Sequence, residues 1–240
     1  MKMKYNPYSY SKISVYNQCP KKFKYKYIDK VKVPYVYSEP LIKGGCIHSI
    51  LEYHPDKSPH KHQEKYQYIV DNFLDTDLGR EIFMYDGKCE IDFGLTRKLE
   101  PCDYYNKEAL FRGSVDRMLY NESQNKMILL DYKSGNIPDE KYMSYKQLSW
   151  YALYFFIKYP KLENIQISYV YVEHNEKERS LTFSRNNINE LKIDLLKNIT
   201  NIEVTNDFST NTSSLCEYCE YQEHCESERL SIQNSFLSEL

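Results

Sequence analysis

Apolar residues recur with two different periods along this chain, and the change of period divides it. Up to about residue 84 the spacing is helical. Ile13 and Tyr16 share a face, with Cys19 one turn further, which predicts a helix capped by Ser11 and stopped or redirected by Pro20. Beyond Pro34 and Pro40, the run Gly44-Gly45-Cys46-Ile47-His48-Ser49-Ile50-Leu51-Glu52 reads as a glycine-led helix with His48, Leu51 and Glu52 on one face, ending by Pro55. Residues 60–84 are polar and helical, with Tyr66, Ile69, Val70, Phe73 and Leu74 as the buried stripe. Residues 55–87 therefore read as a helical insertion or cap on the main body.

From Lys88 the period becomes two. Strands are predicted over 88–97, 110–120 and 126–133, with polar Asn121–Asn125 as the turn that makes the last two a hairpin. A helix over 143–158 follows, its Leu148, Tyr151, Ala152 and Phe155 recurring at i, i+3, i+4 and i+7. Strands at 166–173 and 179–184 and a helix at 187–202 complete the order. The arrangement implies an α/β fold, a mixed central sheet flanked by helices on both faces. Asn206–Ser214 reads as a polar linker, and no repeat interrupts the pattern.

A chain of 240 residues suits one elaborated domain carrying a helical insertion and a small satellite. No apolar run is long enough to cross a bilayer, and Met1–Pro7 lacks the apolar core of a signal peptide, so the expectation is a cytoplasmic, intracellular protein in a reducing compartment. There the seven cysteines are better read as metal ligands and core thiols than as disulfides. The sequons at Asn121, Asn198 and Asn211 then carry no meaning. The 25 tyrosines, alongside abundant Lys and Asn, reflect an A/T-biased coding sequence as readily as a functional excess.

The net charge of −2 argues against a protein that coats nucleic acid indiscriminately, yet it hides an asymmetry. Residues 1–50 carry ten Lys against Asp29 and Glu39, whereas residues 216–240 carry six Glu against Arg229. Within the basic part, Lys21-Lys22-Phe23-Lys24-Tyr25-Lys26-Tyr27 interleaves cations with aromatics, a composition that holds and stacks single strands. An amphipathic element with solvated lysines has the same composition.

Two stretches carry candidate chemistry. Leu129-Leu130-Asp131-Tyr132-Lys133-Ser134-Gly135 is an apolar strand ending in an acid, a spacer and a lysine. Period two puts Asp131 and Lys133 on one face, about 7 Å apart along the strand. A carboxylate there can hold a divalent cation, and an ammonium beside it can polarise a water or steady developing negative charge, although a surface salt bridge has the same pattern. Asp116 sits inside the preceding strand, where an acid needs either a salt bridge to Arg117 or Arg112, or a cation shared with Asp131. The second stretch is Cys216-x2-Cys219-x5-Cys225, a spacing for a soft metal. Zinc could take the three thiolates plus His224 or Cys19, and an iron-sulfur cluster would need four thiolates, so spacing alone does not choose.

Together these pieces resemble the RecB-like branch of the PD-(D/E)XK nucleases, and within it the iron-sulfur types: the nuclease part of AddB and the CRISPR-associated RecB-like exonucleases. Ser11-x-Ile13-x2-Tyr16-x2-Cys19-Pro20-x2-Phe23 is similar to the family's N-terminal Cys-Pro motif, and Gly44 to Glu52 to its glycine-helix with a histidine ligand. Gly113-x2-Asp116-Arg117 resembles its first acid, Asp131-x-Lys133-x-Gly135 its signature, Gln147-x3-Tyr151 its following helix, and the three-cysteine group its C-terminus. The resemblance implies a restriction-endonuclease-like core with an iron-sulfur subdomain of residues 11–30 and 206–230 joining the two ends of the chain. It implies Mg²⁺ or Mn²⁺ on His48, Asp116, Asp131 and the Tyr132 carbonyl, with Lys133 activating water and Gln147 and Tyr151 positioning DNA or the lysine. It further implies a [4Fe-4S] cluster on Cys19, Cys216, Cys219 and Cys225, leaving Cys46, Cys89 and Cys102 to core or surface.

Lys21, Lys22, Lys24, Lys26 and Arg117 are the DNA-contact candidates. Glu90 stands where the family often has an acid, although a glutamate at a strand edge is more often solvated. The implied activity is a DNA exonuclease preferring single-stranded DNA or unwound ends, in recombination, repair or phage-type processing in a host cytoplasm. The alternatives are a structure-specific endonuclease and a non-catalytic DNA-binding subunit of a helicase-nuclease or CRISPR-type assembly. The sequence holds no helicase P-loop, so unwinding would need a helicase or recombination partner; an oligomer is compatible with all three readings.

Overall fold

Alternation from Lys88 onward builds a six-stranded sheet in a computed structural model that describes residues 7–34, 38–121, 123, 125–174 and 178–226. Helices precede it: α1 (Tyr10–Gln18), α2 (Pro20–Phe23), α3 (Glu39–Tyr53), α4 (Gln63–Leu74) and α5 (Asp77–Met84). The strands are β1 (Lys88–Thr96), β2 (Pro101–Cys102), β3 (Ala109–Asn121), β4 (Lys126–Lys133), β5 (Asn164–Tyr171) and β6 (Glu178–Ser184), with α6 (Lys146–Lys158) between β4 and β5 and α7 (Ile188–Val204) after β6. Their spatial order is β2-β1-β3-β4-β5-β6. β3 and β4 form the expected antiparallel hairpin, although Glu122 and Gln124 of its turn lie outside the described residues. β4 and β5 run parallel, with α6 as the crossover, and the remaining pairs are antiparallel. This is the mixed, helix-flanked α/β sheet that the pattern implies. Among the described residues no helix is long and apolar enough to cross a membrane.

The chain divides into two compact units. The larger comprises Asn6–Tyr10 and Tyr37–Lys197 and contains the whole sheet. Its main core joins Ile47, Ile50 and Leu51 of α3, Tyr66, Ile69, Val70 and Phe73 of α4 and Ile82 of α5 to Leu130, Tyr132 and Val170 of the sheet. Each such buried side chain contributes about 1.5–3 kcal/mol. A second cluster is aromatic: Phe93 stacks on Tyr154 at 4.3 Å, and Trp150 meets Phe111 edge-on at 5.8 Å and donates through Nε1 to Asp194 Oδ2 at 2.7 Å. One expectation needs correction. α3 begins at Glu39, not at the glycines, because Pro40 in its first turn lacks only an N–H that has no intrahelical acceptor there. Gly44 therefore lies inside the helix, where a Cβ would sit 3.1 Å from Ser134 Oγ; the glycine keeps the helix close to the end of β4.

The smaller unit comprises, among the described residues, 11–34 and 198–226; residues 227–230 of the expected subdomain lie outside the described residues. α1 ends at Gln18, and Cys19 is extended (φ −159°, ψ 110°) because the residue before a proline is kept out of the helical region. α2 restarts at Pro20 and passes into a π-helical turn, Lys24–Ile28. Phe23 packs against Tyr16, Tyr27 and Phe208, while Asn211 Nδ2 donates to the Gln18 carbonyl at 2.9 Å. These contacts tie the two segments together.

Candidate active site

The β3–β4 ladder stops where the acids begin. Arg117 faces Leu130 as the last pair, and one step further Asp116 and Asp131 would come opposite each other. There the Tyr132 N–H donates to Asp116 Oδ2 at 2.7 Å, so a side-chain carboxylate replaces a ladder carbonyl and the hairpin opens. His48 of α3 places Nδ1 3.4 Å from the same oxygen. Its ring is edge-on to Tyr132, which is in turn edge-on to Phe73, so the core under α4 orients the imidazole.

The third member comes from β1. Cys89 faces Arg117 and Ile91 faces Val115, which puts Glu90 across from Asp116. Glu90 has a positive φ of 45°, a strained conformation for a residue with a Cβ, at a cost of about 1 kcal/mol or more. His48, Glu90 and Asp116 offer ligand atoms that all lie within 4.8 Å of one another. The strand alternation alone reads Glu90 as solvated; its position opposite Asp116 in the register is the signal that marks it.

Asp131 is buried, and its Oδ2 lies 2.5 Å from Lys133 Nζ without the alignment of a hydrogen bond. Lys133 is about a third exposed and sits 4.9 Å over the Tyr169 ring. Burial, and then the charge of Asp116, push Asp131 up to about 6 against the pull of Lys133 and His48. Burial also raises Glu90, helped by Asp116 and Glu52. For His48 burial acts downward, yet the hydrogen bond and charge of Asp116, with Asp131 and Glu90 behind it, raise it overall. Hard oxygens and an imidazole crowd together here, and the acids resist ionising together. The residues fit a divalent cation.

Gln147 Nε2 donates to Tyr151 Oη at 3.4 Å. Burial and then the charges of Asp131 and Asp116 raise Tyr151, so its hydroxyl stays protonated. Arg117 needs correction as a DNA contact. It is buried, its guanidinium lies 4.3 Å over Phe83 and donates to Tyr85 O and Cys89 Sγ, and it is turned into the core rather than toward a phosphate. In the smaller unit Lys22 and Lys26 pair with Glu220 at 2.8 and 3.4 Å, Lys24 with Asp29 at 2.5 Å, and Lys21 lies 5.3 Å over Tyr25. Much of that stretch's charge is met internally.

Cys19, Cys216, Cys219 and Cys225 line one cavity of about 120 Å³ in the smaller unit, together with Tyr25, Leu215 and Tyr221. His224 is not among the lining residues; its ring is edge-on to Tyr25 at 4.7 Å. Among the described residues no three cysteine sulfurs lie within 4.8 Å of one another.

A family model described as PD-(D/E)XK nuclease superfamily matches residues 7–226. Among solved structures the chain is similar to one described as "Putative exonuclease" from Eubacterium rectale, at 10% identity over 90% of this chain and 87% of that one, with a TM-score of 0.50. It is also similar to SSO0001, at 11% identity over 91% and 84% of the two chains, with a TM-score of 0.39. At such identity the first shows a shared fold. No curated protein matches the chain.

Proposed function

The chain belongs to the PD-(D/E)XK nuclease superfamily, and from that premise we propose that it is a metal-dependent DNA exonuclease acting on single-stranded DNA or unwound ends in recombination, repair or phage-type processing. The observation that carries this reading is the convergence of His48, Glu90 and Asp116 beside the buried Asp131 and its partner Lys133. His48, Glu90, Asp116, Asp131 and the Tyr132 carbonyl would hold Mg²⁺ or Mn²⁺. When bound, such an ion polarises the phosphoryl group and lowers the pKa of water. Lys133, steadied by Asp131 and the Tyr169 ring, would orient the attacking water and donate to the phosphoryl oxygens, where negative charge grows; as the water oxygen bonds to phosphorus its proton passes to solvent, the P–O ester bond breaks, and the leaving oxygen takes a proton from solvent. Gln147 and Tyr151, joined by their hydrogen bond, position the strand.

We assign Cys19, Cys216, Cys219 and Cys225 to a [4Fe-4S] cluster. The cavity that all four line supports a shared soft-metal group, and the choice of a cluster over zinc follows the family resemblance. Its role is to close the smaller unit.

One assay tests the activity: anaerobically purified protein with end-labelled single- and double-stranded DNA and circular controls, with Mg²⁺ or Mn²⁺, beside Asp131→Ala and Lys133→Ala. Wild type should degrade linear single strands from an end, and both variants should not. Equal survival of every substrate with all three proteins overturns the nuclease reading, and cleavage of closed circles favours an endonuclease. Iron with acid-labile sulfide is expected in the brown protein, and stoichiometric zinc without sulfide overturns the cluster.

A further inference from the structure

Beside Lys133 the sheet carries aromatic rings that the metal chemistry leaves unused. Tyr169 and Tyr171 of β5, both buried, are the strand neighbours of Asp131 and Lys133. Tyr145, the residue before α6, stacks on Tyr169 with ring centroids 5.7 Å apart and planes within 16°. Two bonds strap the segment ahead of it to β5: Tyr169 Oη donates to the Ser144 carbonyl at 3.0 Å, and Tyr171 Oη to Met143 Sδ at 3.6 Å.

Tyr145 itself is held differently. Its ring is partly exposed, its hydroxyl makes no hydrogen bond among the described residues, and Tyr169 is its one ring partner there. A tyrosine whose hydroxyl is unused but whose plane is fixed by its neighbours offers a face rather than a hydrogen bond. Tyr169 is also the ring that the Lys133 ammonium approaches to 4.9 Å, so Tyr145 stands one ring away from the signature lysine. An aromatic face at that distance is suited to a nucleobase, and any of the four bases would serve.

We infer that Tyr145 is the shelf on which a base beside the scissile phosphate stacks, and that this shelf selects unpaired strands. The inference rests on the nuclease reading above. A base in a duplex already has both faces stacked, so only a splayed or single-stranded nucleotide can use Tyr145. Tyr145 is a positioning residue: it would set where the strand lies and leave the chemistry to Lys133 and the metal ligands.

The test uses the full chain and single-stranded oligonucleotides carrying 2-aminopurine at successive positions, first without metal and then with Mg²⁺. Wild type should quench one position strongly, and Tyr145→Phe should match it because the hydroxyl is idle. Tyr145→Ala should lose that quenching and raise KM for single strands about fivefold or more, with kcat within about twofold. Asp131→Asn should abolish cleavage and keep the quenching. If wild type and Tyr145→Phe cleave while Tyr145→Ala quenches and binds as they do, the shelf is overturned and the nuclease reading stands. Quenching that depends on Tyr145 in a wild type that cleaves nothing supports the shelf and overturns the nuclease reading. A wild type that neither cleaves nor quenches overturns both.

Discussion

The acidic cluster and the cysteine cavity are both candidate homes for inorganic groups, yet they are held in different ways. In the cluster, protein atoms fix one another before any cation arrives. Asp116 takes the Tyr132 N–H, His48 leans on both, and Asp131 pairs with Lys133. In the cavity the four thiols share walls, but no three of their sulfurs converge, and the elements that present them are short: a four-residue helix after Cys19 and a five-residue 3-10 turn around Cys216. The first site is preorganised and spends its strain on chemistry. The second, on the cluster proposed above, would take its shape from that group.

The largest effect should come from the preorganised side. Asp131→Asn removes a carboxylate that the fold holds uncomfortably, buried and beside Asp116, so cleavage should fall about 10²–10³-fold or more while the metal-free protein melts no lower than wild type. Single-turnover cleavage and a melt in EDTA check both halves. A melting point several degrees lower would make Asp131 a structural residue and erase the contrast. Cys216→Ser should do the reverse. Iron and sulfide should be lost, and the smaller unit should loosen by several kcal/mol, read as hydrogen exchange in the 198–226 segment. Unchanged exchange in an iron-free variant would show that the cavity closes without its group.

The same contrast governs what could be read in advance. Strand period two fixes neighbours through local geometry, so Asp116, Asp131 and Lys133 could be placed on adjoining strands from the sequence pattern. The same alternation turns Arg117, next to Asp116 in its strand, the other way, and here that way is the core rather than a DNA surface. Glu90 is marked by neither alternation nor composition, because only the β1–β3 register sets it opposite Asp116. The pairing of Lys22 and Lys26 with Glu220 was invisible, because about two hundred residues separate the partners and no local pattern reports such contacts.

A smaller effect probes the rigidity of the cluster's surroundings. A Cβ on Gly113 would come within 2.6 Å of Tyr151 Cε1 and 2.7 Å of Phe93 Cζ, both atoms of well-packed rings. Gly113→Ala should cost about 1–3 kcal/mol in urea denaturation and displace Tyr151 from Gln147. Cleavage should fall with it, although no metal ligand has changed. A neutral Gly113→Ala would mean that the rings give way freely, and that the site is less fixed than the contacts imply.

The smallest effect is a pH dependence, and it acts with opposite sign on the metal-free fold and on metal binding at the acidic cluster. Unfolded, Asp131 ionises in the ordinary carboxylate range; folded, it keeps its proton up to about 6. Between those values the folded chain binds more protons than the unfolded one, so the stability this group gives the metal-free protein is highest at low pH and declines as pH rises through 6. Metal binding runs the opposite way, because a ligand must be deprotonated, and His48, whose proton is also held more tightly by Asp116, adds to the slope. Mn²⁺ should therefore bind about tenfold or more weakly at pH 5 than at pH 7, with the steepest change near 6. Calorimetric titration of wild type and Asp131→Asn would show it, the variant giving the shallower line. Equal affinity for wild type across that range would mean that Asp131 meets the cation already ionised, and that the strain assigned to the acidic cluster is not there.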